Sequence, residues 1–266
     1  MSIIETRKLT RIYGTLVAVD GLTLSIEPGE IFGLLGPNGA GKSTTIKMLT
    51  SLLPPTSGQA RVAGYDLASP RDRARLRSVI GYVPQLISVD GALTGYENLL
   101  IFARLYDIPR RESIDRVRAM LDFMGLGEAA DTLVRKYSGG MIRRLEIAQA
   151  LLHHPHVLFL DEPTVGLDPV ARKTVWERIE ELRALYKTTI LLTTHYMEEA
   201  DHLCDRVAIM HLGKVVVTGT PAELKASIGK DATLDDVFAH YTGESLASGG
   251  DYRDTRRTRH AARRLG

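Results

Sequence analysis

The sequence predicts an α/β fold with a mostly parallel sheet, on three observations. Four apolar runs, 31–35, 79–83, 157–160 and 189–193, are near-continuous rather than alternating, the pattern of strands buried on both faces. Amphipathic helical patterns separate these runs. A glycine-rich turn, 36–41, follows the first run directly and opens a helix over 43–49.

The elements follow in order. Three helix starts place an N-cap oxygen three residues before an acid: Ser69 with Asp72, Thr94 with Glu97, and Thr220 with Glu223. The first and last also carry proline at the first helical position. From 87 to 152 helical patterns recur without a convincing strand, which predicts a helical subdomain inserted into the α/β core. Arg206–Met210 and Val215–Thr218 flank Leu212-Gly213 and read as a hairpin. There is no internal repeat, and apolar periodicity stops near Gly243, where we expect a domain boundary.

Composition excludes several classes. The chain has 266 residues, 44% hydrophobic and 25% charged, as in ordinary globular proteins. No apolar run approaches the ~18 residues of a membrane span. The N-terminus lacks a secretory signal, so a cytosolic protein is expected, and the single cysteine, Cys204, has no partner for an internal disulfide. The net charge of +2 argues against a nucleic-acid binder. It conceals a split: residues 251–266 hold six arginines against two aspartates, net +4, so the preceding 250 residues sum to −2. The tail reads as a disordered appendage, as a contact for anionic lipid, or as a contact for a partner's loops.

Gly36-Pro37-Asn38-Gly39-Ala40-Gly41-Lys42-Ser43-Thr44 carries the chemistry of a phosphate loop. Its glycines let backbone N–H groups turn toward phosphate oxygens, and the helix that follows adds its positive dipole end. Lys42 places an ammonium on the β and γ phosphates, and the Ser43 hydroxyl can bind Mg²⁺. The run 157–160 ends in Asp161 and Glu162. An aspartate at such a strand end can hold Mg²⁺, and the adjacent Glu162 could orient or deprotonate the attacking water.

The order of phosphate loop, Gln85, Ser138-Gly139-Gly140, Asp161-Glu162, Gly166-Leu167-Asp168 and His195 resembles the nucleotide-binding subunit of ATP-binding cassette (ABC) transporters over about residues 3–242. The resemblance implies a P-loop NTPase fold with a mostly parallel core sheet, an antiparallel β subdomain and an inserted helical subdomain. The cassette would occupy 1–242, its helical subdomain about 87–152, and the arginine-rich, flexible tail 243–266. It further implies ATP and Mg²⁺ as ligands, with Tyr13 stacked on adenine, Ser43, Gln85 and Asp161 at the metal, and Glu162, His195, Gln85 and Lys42 at the reacting phosphate. Ser138, Gly139, Gly140 and Asp168 would complete the ATP site of a second subunit in a head-to-tail dimer with a like or paralogous chain. A separate transmembrane permease would hold the pair at the cytoplasmic face of the cell membrane.

Two departures refine the resemblance. Tyr137 and Met141 replace the usual Leu and Gln around Ser-Gly-Gly, and Val165-Gly166 replaces Ser-Ala before Leu167-Asp168. With Thr233–Phe238 they resemble the drug-resistance branch of bacterial exporters, which implies export. A cassette acting on DNA or ribosomes is the first alternative, though no long coiled-coil insertion or second cassette is present. A small-molecule P-loop kinase, the second, would lack the Ser-Gly-Gly helix. Of the remaining features, His153, His154 and His156 read as a loop without ligand spacing, Cys204 as a core residue on a helix, and Arg143, Arg144, Arg71, Arg73, Arg75 and Arg77 as solvated.

Overall fold

The computed structural model describes residues 2–243; the arginine-rich tail beyond Gly243 lies outside the described residues. The chain opens with strands β1 (Ile4–Tyr13), β2 (Leu16–Ile26) and β3 (Ile31–Leu35), helix α1 (Lys42–Leu49), strands β4 (Ser57–Val62) and β5 (Tyr65–Asp66), helix α2 (Pro70–Leu76) and strand β6 (Ile80–Val83). Helices α3 (Gly95–Leu105), α4 (Arg110–Phe123) and α5 (Gly139–Leu151) follow, with two short 3₁₀ turns between the last two. The chain then runs through β7 (Val157–Asp161), α6 (Pro169–Tyr186), β8 (Thr189–Thr194), α7 (Met197–Leu203), β9 (Arg206–His211), β10 (Lys214–Gly219), α8 (Pro221–Ile228) and α9 (Leu234–Thr242).

Two sheets form. The larger has the order β10-β9-β3-β8-β7-β6, parallel throughout except for the antiparallel β9–β10 hairpin. All four predicted apolar runs lie in it, and residues of each strand alternate between two buried faces. Leu35, Leu158, Leu160, Ile190 and Leu192 join α3–α6 in one apolar cluster. Phe32, Leu34, Val157, Phe159 and Leu191 meet α1 and the second sheet in another. That second sheet, β2-β1-β4-β5, is antiparallel.

The capping signals have unequal outcomes. Thr94/Glu97 and Thr220/Glu223 form complete capping boxes, as does Thr233/Asp236. Ser69 caps Asp72 N, but the Asp72 carboxylate accepts from the backbone of Asp66 instead of returning to Ser69, so only half a box forms there. Among the described residues of 87–152 there is no strand, only one isolated bridge between Thr94 and Leu133. No helix of the described residues is long and apolar enough to cross a membrane.

Candidate active site

Three neighbouring strands end together at the site. Leu35 pairs with Thr194 and Asp161 with Thr193, so the segments leaving β3, β7 and β8 start side by side. This carboxyl edge is where open α/β sheets bind ligands.

The turn between β3 and α1 needs its glycines. Gly36 has φ +153°, and a Cβ there would fall 2.1 Å from the Met210 carbonyl oxygen; Gly41 has φ +106°, and its Cβ would fall 2.4 Å from that of Ala18. No side chain fits either position, so the loop is held tight against β9 and β2. Lys42 starts α1 and is buried. Its Nζ donates to the carbonyls of Gly36 at 2.7 Å and Pro37 at 3.1 Å, and lies 3.3 Å from Glu162 Oε1. Burial pulls the Lys42 pKa down, while the Glu162 and Asp161 carboxylates oppose that fall.

Glu162 sits just past β7 with φ +51°, a left-handed conformation uncommon for a side chain other than glycine. Its backbone N–H bonds both Thr193 O and Thr193 Oγ1, each at 3.1 Å, which holds that conformation. The carboxylate meets Lys42, His195 Nδ1 at 3.3 Å and the Gln85 amide, whose Nε2 donates to Oε2 at 3.1 Å. Burial raises its pKa, but His195 and Lys42 outweigh this and hold it below the usual carboxylate range. One carboxylate therefore gathers three of the expected residues. Beside it, Asp161 Oδ1 accepts from Ser43 Oγ at 2.9 Å and Thr193 Oγ1 at 2.6 Å.

A cleft of about 530 Å³ opens over this centre. Tyr13, Asn38, Gly39, Gly41, Lys42, Ser43, Thr44, Gln85 and Glu162 line it, with Gly36, Pro37 and Ala40 in the backbone of the same loop. Leu16, Val17, Ala18 and Leu212 also line it. The sequence reading missed these four: Leu16 and Leu212 are 65% and 76% exposed, and no local pattern in the sequence marks them as cleft residues. The Arg11 guanidinium covers one side of the Tyr13 ring, 4.6 Å from its centroid.

Ser138, Gly139, Gly140 and Asp168 do not line this cleft. They form a second group, where α5 and α6 begin. Ser138 Oγ accepts from Met141 N, and Asp168 Oδ1 accepts from Val170 N and Ala171 N. A Cβ on Gly140 would come 2.8 Å from the Ala171 methyl, and one on Gly139 3.4 Å from Leu167, so the two turns pack together. The first-turn amides of α5 lack intrahelical acceptors, and Ser138 and Gly139 are exposed.

The family model described as "ABC transporter" matches residues 19–165. The chain belongs to the ABC transporter family. Its ATP-binding subunits are ATPases, and the ordered motifs place this chain among them. It is 47% identical over 250 residues to the daunorubicin/doxorubicin resistance ATP-binding protein DrrA of Streptomyces peucetius, covering 92% of this chain and 74% of that one. It is 44% identical to a Nod factor export ATP-binding protein of Cupriavidus metallidurans, covering 86% and 75%. Among solved structures, cbiO1 of Clostridium perfringens, part of the ABC transporter complex cbiONQ, aligns with TM-score 0.79 at 30% identity, covering 85% and 91%. An ABC transporter ATP-binding subunit aligns equally well, with TM-score 0.79 at 31% identity, covering 91% and 100%. This agrees with the expected cassette fold and with the drug-resistance branch.

Other expectations are corrected. Arg143 is not solvated but buried against the segment after β6, while Arg144 is half-buried and donates to the Met124 carbonyl at 2.7 Å. Cys204 is buried, but it caps the end of α7 rather than lying within it, and burial pushes its thiol pKa well up. His153 lies in a turn, as expected, where it stacks on Tyr106 and donates to the Ile80 carbonyl, and burial takes its pKa down to about 4.

Proposed function

We propose that this chain is the ATP-hydrolysing engine of an exporter, working as a head-to-tail dimer on the cytoplasmic face of the cell membrane through a separate permease. The convergence of Lys42, Gln85 and His195 on the Glu162 carboxylate carries this reading. The phosphate loop would cradle the β and γ phosphates, with Lys42 turning from the Gly36 and Pro37 carbonyls to the nucleotide. Tyr13, Leu16, Val17 and Leu212 give an apolar wall suited to the base. Glu162, held ionised, would accept a proton from the attacking water or orient it, His195 would reach the γ-phosphate, and Gln85 would align that water.

Ser43 and Asp161 supply the oxygen donors Mg²⁺ prefers, beside the phosphate loop, and Gln85 adds a third. Bound there, the ion would neutralise charge on the phosphates. Among the described residues no group of three or more His, Cys, Asp or Glu could hold a metal. That fits an ion whose remaining ligands are phosphate oxygens and water.

The exposed turn at Ser138 and Gly139 supports pairing in trans: a γ-phosphate on one subunit would meet this second helix N-terminus on the other. Cleavage and phosphate release would remove that attraction and reopen the dimer. Leu86 and Ile87, 81% and 66% exposed beside Gln85, offer the permease an apolar contact. Export is drawn from the relatives named for drug resistance and Nod factor export.

The test is Glu162→Gln in the full chain. We expect retained ATP binding, turnover reduced at least about 100-fold, and an ATP-dependent dimer by size-exclusion chromatography with light scattering. Wild-type turnover in that variant refutes Glu162 as the catalytic carboxylate, and a monomer in ATP refutes the paired site.

A further inference from the structure

Two charged residues lie buried within α5, outside the groups assigned above: Arg143 and Glu146, 6% and 2% exposed. Both turn toward the segment that joins β6 to the helical region. Arg143 Nη1 donates to the Pro84 carbonyl at 2.8 Å and Nη2 to that of Gln85 at 3.4 Å. The same guanidinium lies 3.1 Å from Glu146 Oε2. Glu146 Oε1 in turn accepts from the Ser88 backbone N–H at 2.6 Å and from its hydroxyl at 3.0 Å. The main chain of 84–88 is therefore bonded to α5 at both ends. In the opposite direction, toward β7, runs the bond from Gln85 Nε2 to Glu162.

Stability alone explains this arrangement poorly. Desolvation offsets most of the attraction within a buried ion pair, and apolar residues of equal volume stabilise as well or better. Apolar residues cannot bond two main-chain carbonyls and an amide, which is what the planar fork of Arg143 and the carboxylate of Glu146 do here. The helix that carries them is capped by Ser138, five residues before Arg143.

We propose that Arg143 and Glu146 are positioning residues that clamp the 84–88 loop to α5, so that Gln85 travels with the Ser138-Gly139-Gly140 turn and reaches Glu162 only when that helix is docked against the sheet. The clamp makes the bond between Gln85 and Glu162 report the placement of the helix whose N-terminus would meet the second subunit's nucleotide. This inference rests on the ATPase reading of the site.

The test is Arg143→Lys in the full chain. Lysine keeps a positive charge opposite Glu146 but loses the fork that spans the Pro84 and Gln85 carbonyls. We expect amide hydrogen exchange over 84–88 to quicken about tenfold or more while α1 keeps its protection. We expect kcat to fall about tenfold, with the Kd for Mg·ATP, read with a fluorescent ATP analogue, unchanged within about twofold. In a Gln85→Ala background, Arg143→Lys should cost no further kcat, because it acts through Gln85. Unchanged exchange over 84–88 overturns the clamp, as does a kcat loss that multiplies fully with that of Gln85→Ala. Glu146→Gln keeps an acceptor for Ser88 but no longer orients the guanidinium. It should repeat the pattern at smaller size, and it decides the matter if Arg143→Lys does not fold. Failure of the ATPase reading shows separately, as absent wild-type turnover or full turnover in Glu162→Gln, and the exchange measurement stands without hydrolysis.

Discussion

Ser43 Oγ donates to Asp161 Oδ1 at 2.9 Å, although 118 positions separate the two residues in sequence. The bond joins the first turn of α1 to the end of β7, and Thr193 on β8 donates to the same oxygen at 2.6 Å. Asp161→Asn keeps the shape and removes the charge. We expect ATP turnover to fall about 10–100-fold and its Mg²⁺ requirement to rise, as measured by phosphate release across a Mg²⁺ series, with the thermal transition preserved.

Glu162 gives a stability signature in acid. Its pKa lies below the ordinary value near 4.5, because His195 and Lys42 outweigh the effect of burial. A carboxylate with a lowered folded pKa contributes stability that is present above the ordinary value and lost as pH falls through the folded one. Removing the ammonium in Lys42→Met raises the folded pKa, so the acid loss of stability should begin at higher pH than in wild type. Melting curves by circular dichroism between pH 3 and 6 check this; coincident acid limbs would sink it.

Glu199 on α7 behaves in the opposite way. It is fully buried, with Oε1 accepting from Thr164 Oγ1 at 2.7 Å and Trp176 Nε1 at 3.0 Å. Burial raises its pKa despite bonds from Thr194, Thr164 and Trp176. Its proton-linked stability is complete below the ordinary carboxylate value and is lost as pH rises through the folded one. Glu199→Gln keeps an acceptor and has no charge to bury. The variant should melt above wild type at pH 8, and the gap should shrink toward pH 4. Glu199→Ala, which strands two buried donors, should cost about 1–3 kcal/mol.

Tyr137 explains one departure from the family pattern. Its hydroxyl donates to the Ala129 carbonyl at 2.6 Å and fills the space over Gly95, where a Cβ would lie 2.3 Å from it. Tyr137→Phe should lower stability by about 1 kcal/mol, seen as a small fall in melting temperature with ATP affinity intact. Gly95→Ala should cost more, because the added methyl collides with the ring oxygen.

How much of this was legible in the sequence depended on how local each signal is. The buried parallel strands announced themselves because both faces are apolar, and the phosphate loop because its glycines are sterically obligatory. The antiparallel sheet could not be read from alternation. β1 changes register between Thr6 and Leu9 and again before Arg11, with Lys8 at φ +49°, so its in-and-out pattern breaks. Arg143 read as solvated because i,i+3 charge spacing looks alike on an exposed face and in a buried pair. Only the approach of Pro84 and Gln85 from a distant segment tells them apart. Leu16 and Leu212 went unnoticed in the cleft for the same reason.

The neighbours of β3 set an order on how the site can be made. Both strands that flank it, β8 and β9, come from residues 189–211. The turn after β9 closes on the phosphate loop itself, where Gly213 N–H bonds the Ala40 carbonyl. A growing chain therefore carries Lys42 long before the walls that seat it exist. Contacts of such long sequence separation form late. The capacity to hold a nucleotide should arrive in one step, once β8, β9 and the turn after them have emerged, later than the Ser138 helix and the Glu162 strand.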